Sequence, residues 1–212
     1  MPSVPRPKST LGAVVELVAI VGFAIGLALL IQAFVVKPFQ IPSESMVPTI
    51  EKGQRVLAER VSYRLSDPEI GDIVVFTPPK GAGDLDGGAS EPGSGCANQP
   101  PPDQVCDEPV DEPSGNNFIK RIVATPGDEL YIEDGRAIVN GEPIEDDFIR
   151  PCGGGMGCNL PKPITIPEDH YFMMGDNRGS SEDSRFWGPV PRDWIIGQAV
   201  ATYWPLDRIG IF

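Results

Sequence analysis

The stretch ELYIEDGRAIVN (129–140) sets two β-prone runs on either side of Asp134-Gly135. A two-residue Asp-Gly link closes an antiparallel hairpin, because both positions tolerate the positive φ that a tight reversal needs. Short apolar runs of the same kind lie on both sides of it: RVLAERV (55–61), DIVVF (72–76), FIKRIVA (118–124), HYFMMG (170–175) and QAVATYW (198–204). Turn residues separate them, and the chain holds 24 Gly and 24 Pro, which favours strands and reversals over long helices. The predicted fold is mainly β, antiparallel, as a barrel or coiled sheets.

One segment departs from that pattern. LVAIVGFAIGLALLIQAFVV (17–36) has Gln32 as its only strongly polar residue. Twenty residues at a helical rise span about 30 Å, the thickness of a bilayer's hydrocarbon core. No polar face is present, as a buried core helix would show, and AFVVKPFQ supplies no small-residue cleavage site. A retained transmembrane anchor is therefore expected. Arg6 and Lys8 precede it, so the N-terminus should be cytoplasmic and the rest of the chain outside the cell membrane. The expected division is a tail and anchor over 1–37 and an extracytoplasmic domain over 38–212.

A net charge of −13 with no Lys/Arg stripe excludes a nucleic-acid partner. Cys96 and Cys106 bracket an acidic, Pro-rich stretch, and Cys152 and Cys158 bracket GGGMG. Four cysteines allow three pairings, of which two short local loops are the simplest. Neither spacing suits zinc, so no metal is expected, and disulfides in an oxidising compartment are. Residues 80–116 hold seven Gly, six Pro and eight acids against one Lys. Such a composition predicts a solvated insertion that packs no core of its own.

The chemistry concentrates after the anchor, where IPSESMVPTI (41–50) places Ser43 and Ser45 one residue apart between Pro42 and Pro48. A serine hydroxyl needs a base to become a nucleophile. The chain's one histidine, His170, heads a strand beside aromatics, and no orienting carboxylate can be named for it. Lysine is the alternative, provided burial keeps its amine uncharged. In an extended FIKRIV, Phe118 and Ile122 share the face of Lys120, whereas Arg121 points the other way.

PSESMVPT (42–49) behind an anchor, FIKRIVATPGD (118–128) and GDNRGSSEDSRFWG (175–188) resemble, in order, the three sequence boxes of the type I signal peptidases, the bacterial Ser–Lys family that removes secretory signal peptides. The resemblance implies Ser45 as nucleophile and Lys120 as general base. It implies Ser43 as an oxyanion-hole donor with the Ser45 N–H, and Ser181 as the serine that orients the lysine. Asp183 and Arg185 match a structural ion pair beside the site. Phe39, Ile41, Met46 and Ile119 match positions lining pockets for small substrate side chains, and the Cys152–Cys158 spacing resembles a disulfide of some members.

Two serines one apart in an extended segment point the same way, so one can attack while the other donates to the oxyanion. A preorganised donor of that kind is worth about 2.7–4 kcal/mol of barrier. The expectation is a cofactor-free serine endopeptidase acting on signal peptides of exported preproteins, in contact with the lipid bilayer and the secretion machinery. Two other readings are a self-cleaving Ser–Lys protease acting on a regulator and a catalytically silent anchored β module.

Overall fold

The computed structural model describes residues 10–83, 95–98, 100–154 and 157–212; Arg6, Lys8 and part of the acidic insertion lie outside them. Helix α1 runs over Thr10–Phe34. It starts earlier than the apolar run and ends before it, because Val35 and Val36 leave the helix to pair with the body. The segment Leu11–Gln32 is long and apolar enough to cross a bilayer, and none of it is buried against the body.

The strands follow in chain order: β1 (Val36–Gln40), β2 (Arg55–Glu59), β3 (Ile73–Phe76), β4 (Phe118–Ala124), β5 (Glu129–Glu133), β6 (Arg136–Val139), β7 (Glu142–Pro143), β8 (Leu160–Thr165), β9 (His170–Met174), β10 (Val190–Pro191), β11 (Ile195–Trp204) and β12 (Gly210–Ile211). A one-turn helix, α2 (Ser184–Trp187), precedes β10. The larger sheet has the order β1-β2-β11-β3-β4-β9-β10, with β12 also on β11, and the smaller has β7-β6-β5-β8. Every strand pair is antiparallel. The hairpin forms where the sequence places it, with Asp134 and Gly135 both at positive φ and Glu133 opposite Arg136.

Beyond the two-residue strands β7, β10 and β12, two strands were not legible as such. β1 contains Pro38, and β8 contains Pro161 and Pro163. Both are edge strands, where a missing N–H breaks no ladder on the outer side.

Strand alternation distributes the core. On β3, Ile73 and Val75 enter one cluster with Ile41, Met46, Ile50, Val56 and Ile119. Val74 and Phe76 enter another with Ile122, Tyr171, Met173 and Trp187. This two-sided burial explains the unbroken apolar run IVVF. A third cluster fills the space between the sheets, built from Val123, Leu130, Ile132, Ile164, Phe172 and Met174.

The insertion does not match its expectation fully. Ala82 and Val105 are fully buried and join the clusters of the body. The Lys162 N–H donates to the Asp103 carbonyl at the open edge of β8, and the Cys106 N–H donates to the Arg185 carbonyl. Cys96 is bonded to Cys106 and Cys152 to Cys158. A few apolar residues and a covalent loop closure thus dock a segment whose overall composition reads as solvated.

Candidate active site

Lys120 lies on central strand β4, opposite Val74 of β3. Its face carries Phe118 and Ile122, as alternation requires, and its Nζ sits 5.5 Å from the Phe118 ring centre. Only 3% of the residue is exposed. Burial pushes its amine down to about 8; Asp183, Glu182 and Asp176 pull the other way, and Arg185 adds to the lowering. The Nζ is 2.7 Å from Ser45 Oγ, 75 positions away in sequence.

Ser45 is held by a turn rather than a strand. Val47 N–H donates to the Glu44 carbonyl, and Ile50 N–H to that of Met46. The two serines nonetheless face one another, with Ser43 Oγ 3.2 Å from Ser45 Oγ. Turn geometry therefore does the work that an extended backbone was expected to do.

The turn is gripped from behind by residues that sequence reasoning passed over. The Asn177 N–H donates to the Ser45 carbonyl at 3.0 Å, and the Asn177 side-chain amide donates to the Glu44 carbonyl at 3.1 Å. Asp176 is fully buried. It accepts from Thr49 Oγ1 at 2.5 Å and from both Arg121 Nε and Nη2, at 2.9 and 2.7 Å. Arg121, on the face away from Lys120, thereby ties β4 to the far end of the serine turn. Gly175 leaves room for the arrangement: a Cβ there would stand 2.5 Å from the Ser45 carbonyl oxygen and would also strike Ser181 Oγ. The signal was present in GDN, three non-β residues immediately after the buried run HYFMM.

Asp183 and Arg185 form a fully buried pair, with Nε to Oδ1 at 2.7 Å and Nη2 to Oδ2 at 2.9 Å. Burial pushes the Asp183 carboxyl up. The Arg185 charge outweighs it, together with hydrogen bonds from Arg185 and the Gly175 N–H, and holds the carboxyl low. The guanidinium also collects the carbonyls of Gly157, Arg178 and Ser181. The pair thus organises the backbone around the site. Ser181 Oγ itself is buried without an aligned hydrogen-bond partner, and none joins it to Lys120.

Arg178 braces the same loop against the smaller sheet. It is 2% exposed, its Nε donates to the Gly175 carbonyl and its Nη1 to the Gly135 carbonyl in the hairpin turn. Asp146 neutralises it at 3.0 Å.

An open cleft of about 610 Å³ runs past Ser45 and Lys120. Phe39, Ile41, Val75 and Ile119 give it an apolar side; Cys152, Cys158, Arg178, Ser181 and Glu182 line the other. Met46 does not line it. That residue is fully buried and shares a core cluster with Ile41. His170 stands away from the cleft, with Nδ1 on the Glu168 carbonyl.

A serine hydroxyl beside an enclosed lysine amine is the arrangement expected of a hydrolase of the Ser–Lys type. The comparisons agree. The family model described as signal peptidase, peptidase S26, matches residues 14–204. The chain is 35% identical to signal peptidase I of Leptolyngbya laminosa over 99% of this chain and 88% of that one. It is 36% identical to the chloroplastic thylakoidal processing peptidase 1 of Arabidopsis thaliana, over 88% of this chain and 47% of that one. With signal peptidase I of Pseudomonas aeruginosa it shares 30% identity over 84% and 69% of the two chains.

The chain belongs to the signal peptidase family, peptidase S26. It is a serine endopeptidase that removes signal peptides from preproteins, and its N-terminal apolar helix fits a membrane-anchored enzyme.

Proposed function

We propose that Ser45 is the nucleophile and Lys120 its general base. The observation that carries this is the 2.7 Å approach of a buried, poorly solvated Nζ to Ser45 Oγ. The neutral amine takes the hydroxyl proton as Oγ bonds to the scissile carbonyl carbon. The oxyanion receives hydrogen bonds from the Ser43 hydroxyl and the Ser45 N–H. Collapse breaks the C–N bond, and the Lys120 ammonium returns the proton to the departing amine of the mature chain. Water then attacks the Ser45 ester with Lys120 again as base, which frees the signal peptide and restores the hydroxyl. Ser181, whose hydroxyl lacks an aligned partner, receives a hydrogen bond from the lysine when it is charged. Phe39, Ile41 and Ile119 accept the small side chains that precede the cleavage site.

The chain divides into a tail and anchor over 1–37 and a catalytic domain over 38–212. The N-terminus is cytoplasmic, and the catalytic domain works on the outer face of the cell membrane, in contact with lipid and beside the secretion machinery. The support is the helix Leu11–Gln32 and the immediate start of β1 after it.

The test is processing of a preprotein by the purified chain, read by N-terminal sequencing of the product. Ser45→Ala and Lys120→Ala each remove cleavage while the protein stays folded, and a phosphonate that acylates serine enzymes labels the parent but not Ser45→Ala. Normal processing by either variant removes that residue from the mechanism.

A further inference from the structure

Among the described residues, three charged side chains line the cleft: Lys120, Arg178 and Glu182. Two of them offer little charge to a ligand. Lys120 is enclosed, with its Nζ committed to Ser45 Oγ. Arg178 is almost fully buried, paired with Asp146 and engaged with two carbonyls. Glu182 differs on each count. It is half-exposed, and among the described residues no lysine or arginine is ion-paired with it.

Its position is also fixed. Its neighbours Ser181 and Asp183 are buried, and Arg185 binds both, through a carbonyl and a carboxylate. From across the cleft mouth, the Gly83 N–H donates to Glu182 Oε1 at 3.1 Å. Gly83 comes this close because it has no side chain: a Cβ there would lie 2.5 Å from the tip of the Phe118 ring. A single hydrogen bond from a backbone amide orients a carboxylate without neutralising it. Among the described residues, the cleft is therefore apolar on the Phe39–Ile119 side and carries the fixed negative charge of Glu182 on the other.

We infer that Glu182 is a specificity-determining residue of this enzyme, favouring substrates with a basic side chain beside the scissile bond over those with an acidic one. This rests on the reading of the Ser45–Lys120 cleft as the site of cleavage. With −1 and −3 taken by the small apolar pockets, the positions concerned are −2 and +1. At a half-exposed site an attraction of this kind is worth about threefold to fivefold in rate, and repulsion of an acidic residue adds to the contrast.

The experiment uses the full chain in detergent and three preproteins that differ only in Lys, Gln or Glu at −2, with a second set at +1. In the parent enzyme kcat/KM should follow Lys, Gln, Glu at one or both positions, with Lys over Glu by about fivefold or more at low salt. The ratio should shrink in about 1 M NaCl, where the Debye length falls to roughly 3 Å. Glu182→Gln should bring it within about twofold of unity, and Glu182→Lys should invert it. A merely structural Glu182 would lower every substrate alike and leave the ratio unchanged, which overturns the inference. So does a parent ratio near unity at both positions. Should the variants cleave nothing, the salt dependence of the parent ratio decides. Ser45→Ala separates the two readings: cleavage that it abolishes but that shows no charge preference refutes the role of Glu182 alone, whereas cleavage that survives it refutes the site.

Discussion

Lys120 carries opposing consequences for activity and stability. With its amine held at about 8, the neutral, reactive fraction falls tenfold per pH unit below that value. We predict that kcat/KM for a preprotein rises with pH to a midpoint near 8 and then levels. A profile flat between pH 6 and 9 would exclude a lysine base. Stability follows from the same group. Between about 8 and the ordinary lysine value of 10.5, the unfolded chain holds a proton that the folded chain has lost, so stability rises with pH across that window. The 2.5-unit gap corresponds to roughly 3 kcal/mol. Below pH 8 both states are protonated and the fold bears the full burden of a buried ammonium. Lys120→Met should therefore be inactive yet more stable at pH 7 by up to about 3 kcal/mol, seen as a higher urea midpoint at unchanged m. Gly175 offers a steric test beside it. Gly175→Ala must displace Ser181 or the Ser45 carbonyl, and overpacking of this kind costs about 1–3 kcal/mol. Its activity should drop by more than about 100-fold, because the displaced oxygen belongs to the backbone of Ser45, the proposed nucleophile.

Legibility differed sharply between elements. The hairpin at Asp134-Gly135 and strands β3 and β4 could be read because their signals are local: a turn pair, an apolar run, an alternation that set Phe118 and Ile122 beside Lys120. Ser45 and Lys120 could be read from the motifs around each. The grip of Asn177 on Glu44 could not, since a hydrogen bond across 133 positions leaves no mark in either stretch alone. The turn that carries Ser45 was not legible either, since the segment looks extended between two prolines. The docking of the insertion could not be read from its composition. Its average is polar, yet Val105, Ala82 and one disulfide suffice to dock it. Removing that bridge with Cys96→Ser and Cys106→Ser should lower stability by about 2–3 kcal/mol, the entropy released from a loop of this length. No side chain of the pair reaches Ser45 or Lys120, so activity at 25 °C should change by less than about threefold. A much larger loss would mean that the docked segment shapes the third box through the Cys106–Arg185 backbone contact.

At the scale of the whole molecule, the join between anchor and body is the decisive feature. Helix α1 ends at Phe34 and β1 begins at Val36, with Arg60 N–H on the Val35 carbonyl. No linker lets the body drift from the end of the helix. Phe39 and Ile41, at the far end of β1 and just beyond it, already line the cleft, so the same strand that leaves the helix forms a wall of the site. A strand rises about 3.3 Å per residue, which keeps the cleft within roughly 20 Å of the helix end. On the proposed membrane placement, a preprotein whose apolar segment is embedded in a bilayer presents its cleavage site at that level, and the short join would hold the cleft there. Inserting ten Gly/Ser residues between Phe34 and Val35 adds a flexible spacer with a root-mean-square length of about 17 Å and leaves every strand pairing intact. Processing of a preprotein inserted in the same vesicles should then fall by about fivefold or more. Cleavage of a short soluble peptide spanning the same site should change by less than about twofold, since the cleft itself is untouched. Equal loss on both substrates would show that the insertion had damaged β1. Equal retention would show that the enzyme finds its cleavage site without help from the length of its anchor, and that the direct passage from helix to strand serves folding alone.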